Sequence, residues 1–120
     1  MLRITKTIEE IKKEFVLHLQ EICAVDGVDF SRDARPRIFD ALYIELWEWI
    51  FIFDRKFHKM NIPVSPPRFA SPGEGLEEIS KVLFQIQTRP KLKKITPKIL
   101  AESIRGIMIQ IFEWSRPREQ

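Results

Sequence analysis

The segment from Pro36 to Met60 constrains the fold most, because a helix built from it is apolar on almost every side. At about 100° per residue, one broad face of that helix carries Phe39, Leu42, Leu46, Ile50, Phe53 and Phe57. A second apolar line beside a narrow polar strip contains Ile44, Trp47 and Phe51. A helix that is apolar nearly all round is normally buried among other helices. The pattern therefore predicts one long, continuous central helix wrapped by its neighbours.

Three further amphipathic helices are predicted from their apolar spacing and end signals. Thr7 and Glu10 form a capping-box pattern at the start of the first helix, and Gly27, which tolerates positive φ, follows its end. In the other two a serine or threonine stands directly before a proline, which suits a helix start. The four principal helices are predicted at Ile8–Cys23, Pro36–Met60, Gly73–Gln87 and Pro97–Ser115.

These elements predict an all-α, four-helix bundle-like domain that covers residues 1–120. No stretch keeps the alternation of a strand for more than a few residues. Residues 61–72 are rich in proline, which lacks a backbone donor, and we expect a stiff connector there. Residues 116–120 are expected to form a frayed tail.

Cysteine usage and the N-terminus predict a cytoplasmic protein with no membrane partner. The only cysteine, Cys23, permits no internal disulfide, which favours a reducing compartment. The N-terminus becomes charged and helical at once, unlike a signal peptide. The longest apolar run is interrupted by Glu45 and Glu48 and is shorter than the roughly twenty residues of a membrane span.

Few residues in the sequence suit catalysis. The two histidines, His18 and His58, stand near no nucleophile motif. Glu45-x-x-Glu48 resembles the Glu-x-x-Glu carboxylates that hold magnesium in all-α nucleotide pyrophosphohydrolases, and this two-residue resemblance implies a carboxylate–metal nucleotide hydrolase. Both glutamates share their strip with cationic residues, however, which favours a solvated helix face. We therefore predict no enzyme, no metal and no cofactor, and keep the hydrolase as the weakest alternative.

The basic character of the chain lies in its last third. The net charge is +3, and from Ile86 onward there are 8 basic and 3 acidic residues. The densest group, close to a predicted helix start, contains Arg89, Lys91, Lys93, Lys94 and Lys98. Helix N-termini and clustered cations attract phosphates. The alternative function is therefore a nucleic-acid-binding accessory subunit of a nucleoprotein complex, although the loop itself offers no aromatic residue for stacking on bases.

Apolar residues that point away from the core faces of their own helices support the leading hypothesis. A large exposed apolar patch usually marks an interface, and aromatic residues at its centre provide most of the binding energy. We predict a non-catalytic interaction module, a small subunit or adaptor that self-associates or docks on a protein partner. The predicted contact residues are Ile44, Trp47, Phe51, Ile109 and Phe112. This hypothesis depends on a continuous helix from Pro36 to Met60 that leaves Trp47 and Phe51 exposed.

Overall fold

A computed structural model of the chain describes residues 5–25, 27, 29–30, 35–61 and 68–107. These residues are mostly helical and contain no strand, so the all-α prediction is confirmed. Among them no helix is both long enough and apolar enough to cross a membrane. The helices are α1 (Ile8–Val25), α2 (Pro36–Phe53), α3 (Arg55–Asn61), α4 (Pro72–Ile86) and α5 (Pro97–Glu102).

Local capping chemistry determines where α1 begins and ends. The backbone N–H of Thr7 donates to Glu10 Oε1 at 3.0 Å, and the N–H of Glu10 donates to Thr7 Oγ1 at 3.1 Å. This is the reciprocal pairing of a capping box. Beyond the other end, Gly27 adopts a φ of 74°, in the left-handed region that glycine enters without a Cβ penalty. The predicted start of α1 is confirmed, and its end lies two residues later than predicted.

Side-chain caps also open α4 and α5. Ser71 Oγ accepts from the backbone N–H of Glu74 at 3.1 Å, and Thr96 Oγ1 accepts from that of Ile99 at 3.2 Å. In both helices a proline occupies the first turn, where a missing N–H costs no intrahelical hydrogen bond.

The prediction of one continuous helix from Pro36 to Met60 is wrong. Asp54 leaves the helical region, with φ −150° and ψ 82°, although its N–H still donates to the Ile50 carbonyl at 2.8 Å. Its carboxylate Oδ1 then accepts from the N–H of Phe57 at 3.1 Å, as a helix N-cap does. An aspartate that bonds to nearby backbone competes with the helical ladder. The chain therefore ends α2 at Phe53 and starts α3 at Arg55.

The central position predicted for the second helix is also not confirmed. It is α4 that contacts both α1 and α2, while α1 also packs against α5 and α2 also packs against α3. Because Gly75 has no side chain, α4 can approach Phe39 of α2 closely. The largest fully buried side chains include Phe15 of α1 and Leu46 of α2, so a single core extends across these contacts.

The last predicted helix, Pro97–Ser115, is interrupted within the described residues. A turn at Ser103 ends α5, and both the N–H and the hydroxyl of Ser103 donate to the Leu100 carbonyl, at 3.1 and 2.7 Å. Residues 104–107 are helical again. The remainder of that helix, the predicted tail at 116–120 and the part of the proline-rich connector at 62–67 lie outside the described residues.

Candidate interaction surface at the α2–α3 corner

Four large apolar side chains are exposed on the outer side and at the C-terminal end of α2. The exposed fraction is 45% for Ile44, 44% for Phe51, 66% for Ile52 and 39% for Phe53. Ile44 and Phe51 are seven residues apart and therefore lie about 20° apart on the same helix face. Single exposed apolar residues are ordinary, whereas several along one helix form a patch of the kind found at interfaces. By the same geometry Ile52 lies about 80° from Ile44, whereas Phe53 lies about 180° from it, on the opposite side of α2. Ile44, Phe51 and Ile52 are called the corner patch below.

Trp47 was predicted to be exposed, and this prediction is wrong, because only 8% of the residue is exposed. Its ring stacks on that of Phe57, with centroids 6.3 Å apart and planes at 12°, and makes a T-shaped contact with the ring of His58, with centroids 5.9 Å apart. In a continuous helix Trp47 and Phe57 would be about 15 Å apart along the axis. The break at Asp54 brings α3 against α2, so Trp47 supports the corner patch from beneath.

A cation lies over the ring of Phe51 in the corner patch, and another lies over the ring of Phe53 on the opposite side of α2. The Arg55 guanidinium carbon is 5.0 Å from the centroid of Phe51, and Lys94 Nζ is 4.1 Å from that of Phe53. These distances allow a cation–π attraction. The ring of His58 also approaches Phe51, at 5.1 Å between centroids. Charged and apolar groups are therefore interleaved at this corner.

The basic loop after α4 is anchored to the core rather than freely solvated. Consecutive turns form it, in which the N–H groups of Arg89, Leu92 and Ile95 donate to carbonyl oxygens three residues earlier, at 3.1, 3.0 and 2.9 Å. Leu92 and Ile95 are buried, while Lys91 and Lys93 are exposed. The two apolar side chains thus fix the loop and leave its lysines on the surface.

Arg89 makes contacts inside the chain. Its Nε and Nη2 lie 3.2 and 3.1 Å from Asp54 Oδ2, and its guanidinium carbon lies 4.6 Å above the ring of Phe57. The hydrogen bond from the Phe57 N–H, followed by that from Arg89, lowers the pKa of the Asp54 carboxyl below its ordinary value. Arg89, predicted as an anion-binding residue, thus holds the basic loop against the α2–α3 junction.

The other predicted anion-binding residues are divided between the corner and α5. The side chain of Lys94 lies over Phe53, and Lys91 contributes to the electrostatic environment of Asp54, so both belong to the corner. Lys93 is exposed between them, whereas Lys98 is exposed in the first turn of the six-residue α5.

The corner also contains cations that sequence reasoning did not assign to any site. Arg55, Lys56 and Lys59 are exposed on α3, which follows the junction that Arg89 contacts. The sequence signal for the break that places α3 at this corner is Asp54, which stands three residues before Phe57, whose backbone N–H it caps.

The two glutamates of the hydrolase alternative gain no further ligands among the residues that the structure describes. Glu45 is half-buried and Glu48 is exposed on α2. Within the described ranges no group of three or more histidine, cysteine, aspartate or glutamate side chains is placed to hold a metal ion. The resemblance to nucleotide pyrophosphohydrolases thus remains limited to Glu45 and Glu48.

Ile109 and Phe112, the two other predicted contact residues, lie outside the described residues. Comparison of the chain with protein-family models, with curated proteins and with solved structures found no match.

Proposed function

We propose that this chain is a non-catalytic interaction module that docks on a protein partner, or on a second copy of itself, through the corner patch. The continuous helix and the exposed Trp47 on which the sequence-based hypothesis depended are both contradicted, so the proposal rests on a different observation, the joint exposure of Ile44, Phe51 and Ile52 on α2. Removing such side chains from water on binding contributes roughly 25 cal/mol per Å² of apolar area before the costs of association.

The support beneath the patch favours binding without rearrangement. Trp47 is packed against Tyr43, Phe57 and His58 by ring contacts of 5.9 to 6.3 Å. An apolar surface that rests on a packed aromatic cluster loses little side-chain freedom when a partner covers it, and this lowers the cost of binding.

The experiment compares a patch variant with a matched control. Ile44→Gln/Ile52→Gln replaces two exposed isoleucines by a residue that suits a helix, and Leu17→Gln makes a similar change on the exposed side of α1. Sedimentation velocity and quantitative affinity purification from native extract measure self-association and partner retention. We expect the patch variant to weaken the main association about tenfold or more, since interface hot spots are worth over ~1 kcal/mol each. A monomeric wild-type chain whose retained partners are unchanged in the patch variant contradicts the proposal.

Nucleic-acid binding is the second candidate, favoured by the position of the basic loop. The contact between Arg89 and Asp54 brings Lys91, Lys93 and Lys94 to the junction from which α3, with its own cations, begins. Two cationic segments at one corner could contact a phosphate backbone, and the affinity would then fall steeply with salt. A gel shift at low salt that disappears in Lys91→Gln/Lys93→Gln/Lys94→Gln supports this candidate, and a shift unaffected by the triple change removes it.

A further inference from the structure

We infer that the segment that docks on the corner patch is an acidic peptide segment carrying large apolar side chains. This inference rests on the proposed function and adds the chemistry of the partner. Arg55 lies close to the ring of Phe51 at one edge of the corner patch, and Lys94 lies over Phe53, beyond the edge formed by Ile52. A partner that covers the patch must therefore satisfy both apolar surface and positive charge.

The negative charge nearest the junction is already neutralised within the chain. Asp54 is buried, and its two carboxylate oxygens accept from the Phe57 N–H and from Arg89. Lys91, Lys93 and Lys94 are exposed. Opposite charge in the partner is what complements such a rim, because it steers encounter and disfavours partners of like charge.

A second copy of the chain fits this corner less well than an acidic segment. In a two-fold dimer the same patch lies on both subunits, so both copies bring the same bordering cations to the interface. The net charge of +3 adds repulsion between copies at low salt. An acidic segment brings no such repulsion.

Nucleic acid also fits the patch less well than a peptide does. Ile44 and Ile52 are aliphatic and offer no ring on which a base stacks. One face of each exposed phenyl ring is taken by Arg55 or Lys94. The carboxylate of Glu48, exposed on the same side of α2 between Ile44 and Phe51, repels phosphates and peptide carboxylates alike, so the acidic side chains of a docked peptide must lie toward Arg55 and Lys94 rather than over the middle of the patch. A peptide instead has apolar side chains for the isoleucines and carboxylates for the cations.

The test is an unbiased selection of short random peptides displayed on phage against the full chain. Selected peptides are sequenced, and their affinities are measured by fluorescence anisotropy at low salt and at high salt. We expect enrichment of aspartate and glutamate together with leucine or phenylalanine. We also expect affinity to fall about tenfold or more at high salt, because exposed charges are screened.

Matched variants show whether the selected peptides use the corner. Ile44→Gln/Ile52→Gln should lose the selected peptides, and Arg55→Gln/Lys94→Gln should weaken the acidic ones about tenfold. The control Lys13→Gln/Lys81→Gln removes two exposed lysines from α1 and α4 and should leave their affinity unchanged. An oligothymidine of similar length is offered as a competitor.

The outcomes separate this inference from the proposed function. Peptides that depend on Ile44 and Ile52 but show no acidic enrichment overturn the inference and leave the proposed function standing. Selection that yields no peptide dependent on the patch overturns both. Oligothymidine that displaces the selected peptides and binds more tightly overturns the inference in favour of nucleic acid. Acidic peptides lost in both corner variants and retained in the control support it.

Discussion

Asp54 and Arg89, 35 residues apart in sequence, form an ion pair that joins the α2–α3 junction to the basic loop. The carboxylate is 5% exposed, while the arginine side chain is 40% exposed. One carboxylate oxygen caps α3 through the Phe57 N–H, and the other accepts from Arg89. The same residue therefore ends one helix, starts another and fixes a loop that follows a third.

Substitution of Asp54 should lower the melting temperature, and alanine should lower it more than asparagine. Asp54→Asn keeps an oxygen that can cap α3 but places an amide beside Arg89 without a counter-charge. Asp54→Ala removes both acceptors and leaves the Phe57 N–H without its cap. We expect a decrease of several degrees for asparagine and a larger one for alanine, measured by thermal unfolding followed by circular dichroism. The control is Glu48→Ala, which removes an exposed carboxylate from α2 and should change the melting temperature little. Equal melting temperatures for all three variants would contradict the role of Asp54.

Acid should destabilise the chain, because three carboxyl groups have pKa values below their ordinary ones. Hydrogen bonds with Thr7 lower the pKa of Glu10, and hydrogen bonds from the Phe57 N–H and from Arg89 lower the pKa of Asp54. The hydrogen bond from the Lys12 ammonium lowers the pKa of Glu77. A carboxyl group whose pKa is lower in the folded than in the unfolded state contributes its full stabilisation when the pH is above its pKa in the unfolded chain, about 4. This stabilisation is lost as the pH falls through the pKa of the folded state. Urea unfolding at several pH values should give a constant midpoint between about pH 7 and 5 and a falling one below about pH 4. Asp54→Asn should show a shallower fall, and a midpoint that rises on acidification would contradict the assignment.

The starts of α1, α4 and α5 could be predicted because their causes are local. Thr7, Ser71 and Thr96 each cap a backbone N–H three residues further on, and all three caps are visible as short patterns in the sequence. The buried positions of α1, such as Phe15 and Leu19, follow from helical spacing in the same way.

The break at Asp54 could not be predicted from its local cap on Phe57 alone, because the other contact that holds its carboxylate comes from a residue distant in sequence. Apolar residues on both sides of Asp54 continue the helical pattern, and the guanidinium that holds its carboxylate comes from Arg89. The prediction that Trp47 is exposed failed for the same reason, since the ring of Phe57 reaches it only after the chain changes direction. Tertiary contacts here override local propensity.

The exposed part of the candidate surface was predicted better than its charged border. Ile44 and Phe51 are exposed beside the polar strip of α2, as the helical pattern indicates. Lys94 was predicted to lie in a loop without an aromatic residue, but the structure places it over Phe53. That pairing joins segments about forty residues apart, and no periodicity within either segment encodes it.

The anchored loop predicts that Leu92 is a stability determinant although it stands among lysines. Leu92 is fully buried, and Leu92→Ala should cost about 2–5 kcal/mol of unfolding free energy from the lost transfer energy and the cavity left behind. The neighbouring Lys93 is exposed, so Lys93→Ala should change the unfolding free energy by no more than about 0.5 kcal/mol. Urea unfolding of both variants measures the difference. Similar stabilities for the two would show that the loop is not fixed through Leu92.

The close approach of α4 to α2 predicts opposite effects for alanine at two neighbouring glycines. A Cβ on Gly75 would lie 2.9 Å from Phe69 Cδ2 and 3.0 Å from Phe39 Cγ, and closer still to Phe39 Cβ, whereas one on Gly73 would meet only Ser71 Oγ, at 3.9 Å. Alanine in a helix is favoured over glycine by roughly 0.5–1 kcal/mol, so Gly73→Ala should stabilise the chain by about that amount.

At Gly75 the same gain is outweighed by overpacking against Phe39, which costs about 1–3 kcal/mol when the surroundings must shift. Gly75→Ala should therefore lower the unfolding free energy while Gly73→Ala raises it, and chemical denaturation of the two variants in parallel measures the difference. Both glycines lie in the first part of α4 and neither has a positive φ, so intrinsic helix propensity acts equally on both. A Gly75→Ala variant as stable as Gly73→Ala would mean that α4 does not contact Phe39 closely. The packing of α4 that holds α2 and its exposed patch in place would then also be contradicted.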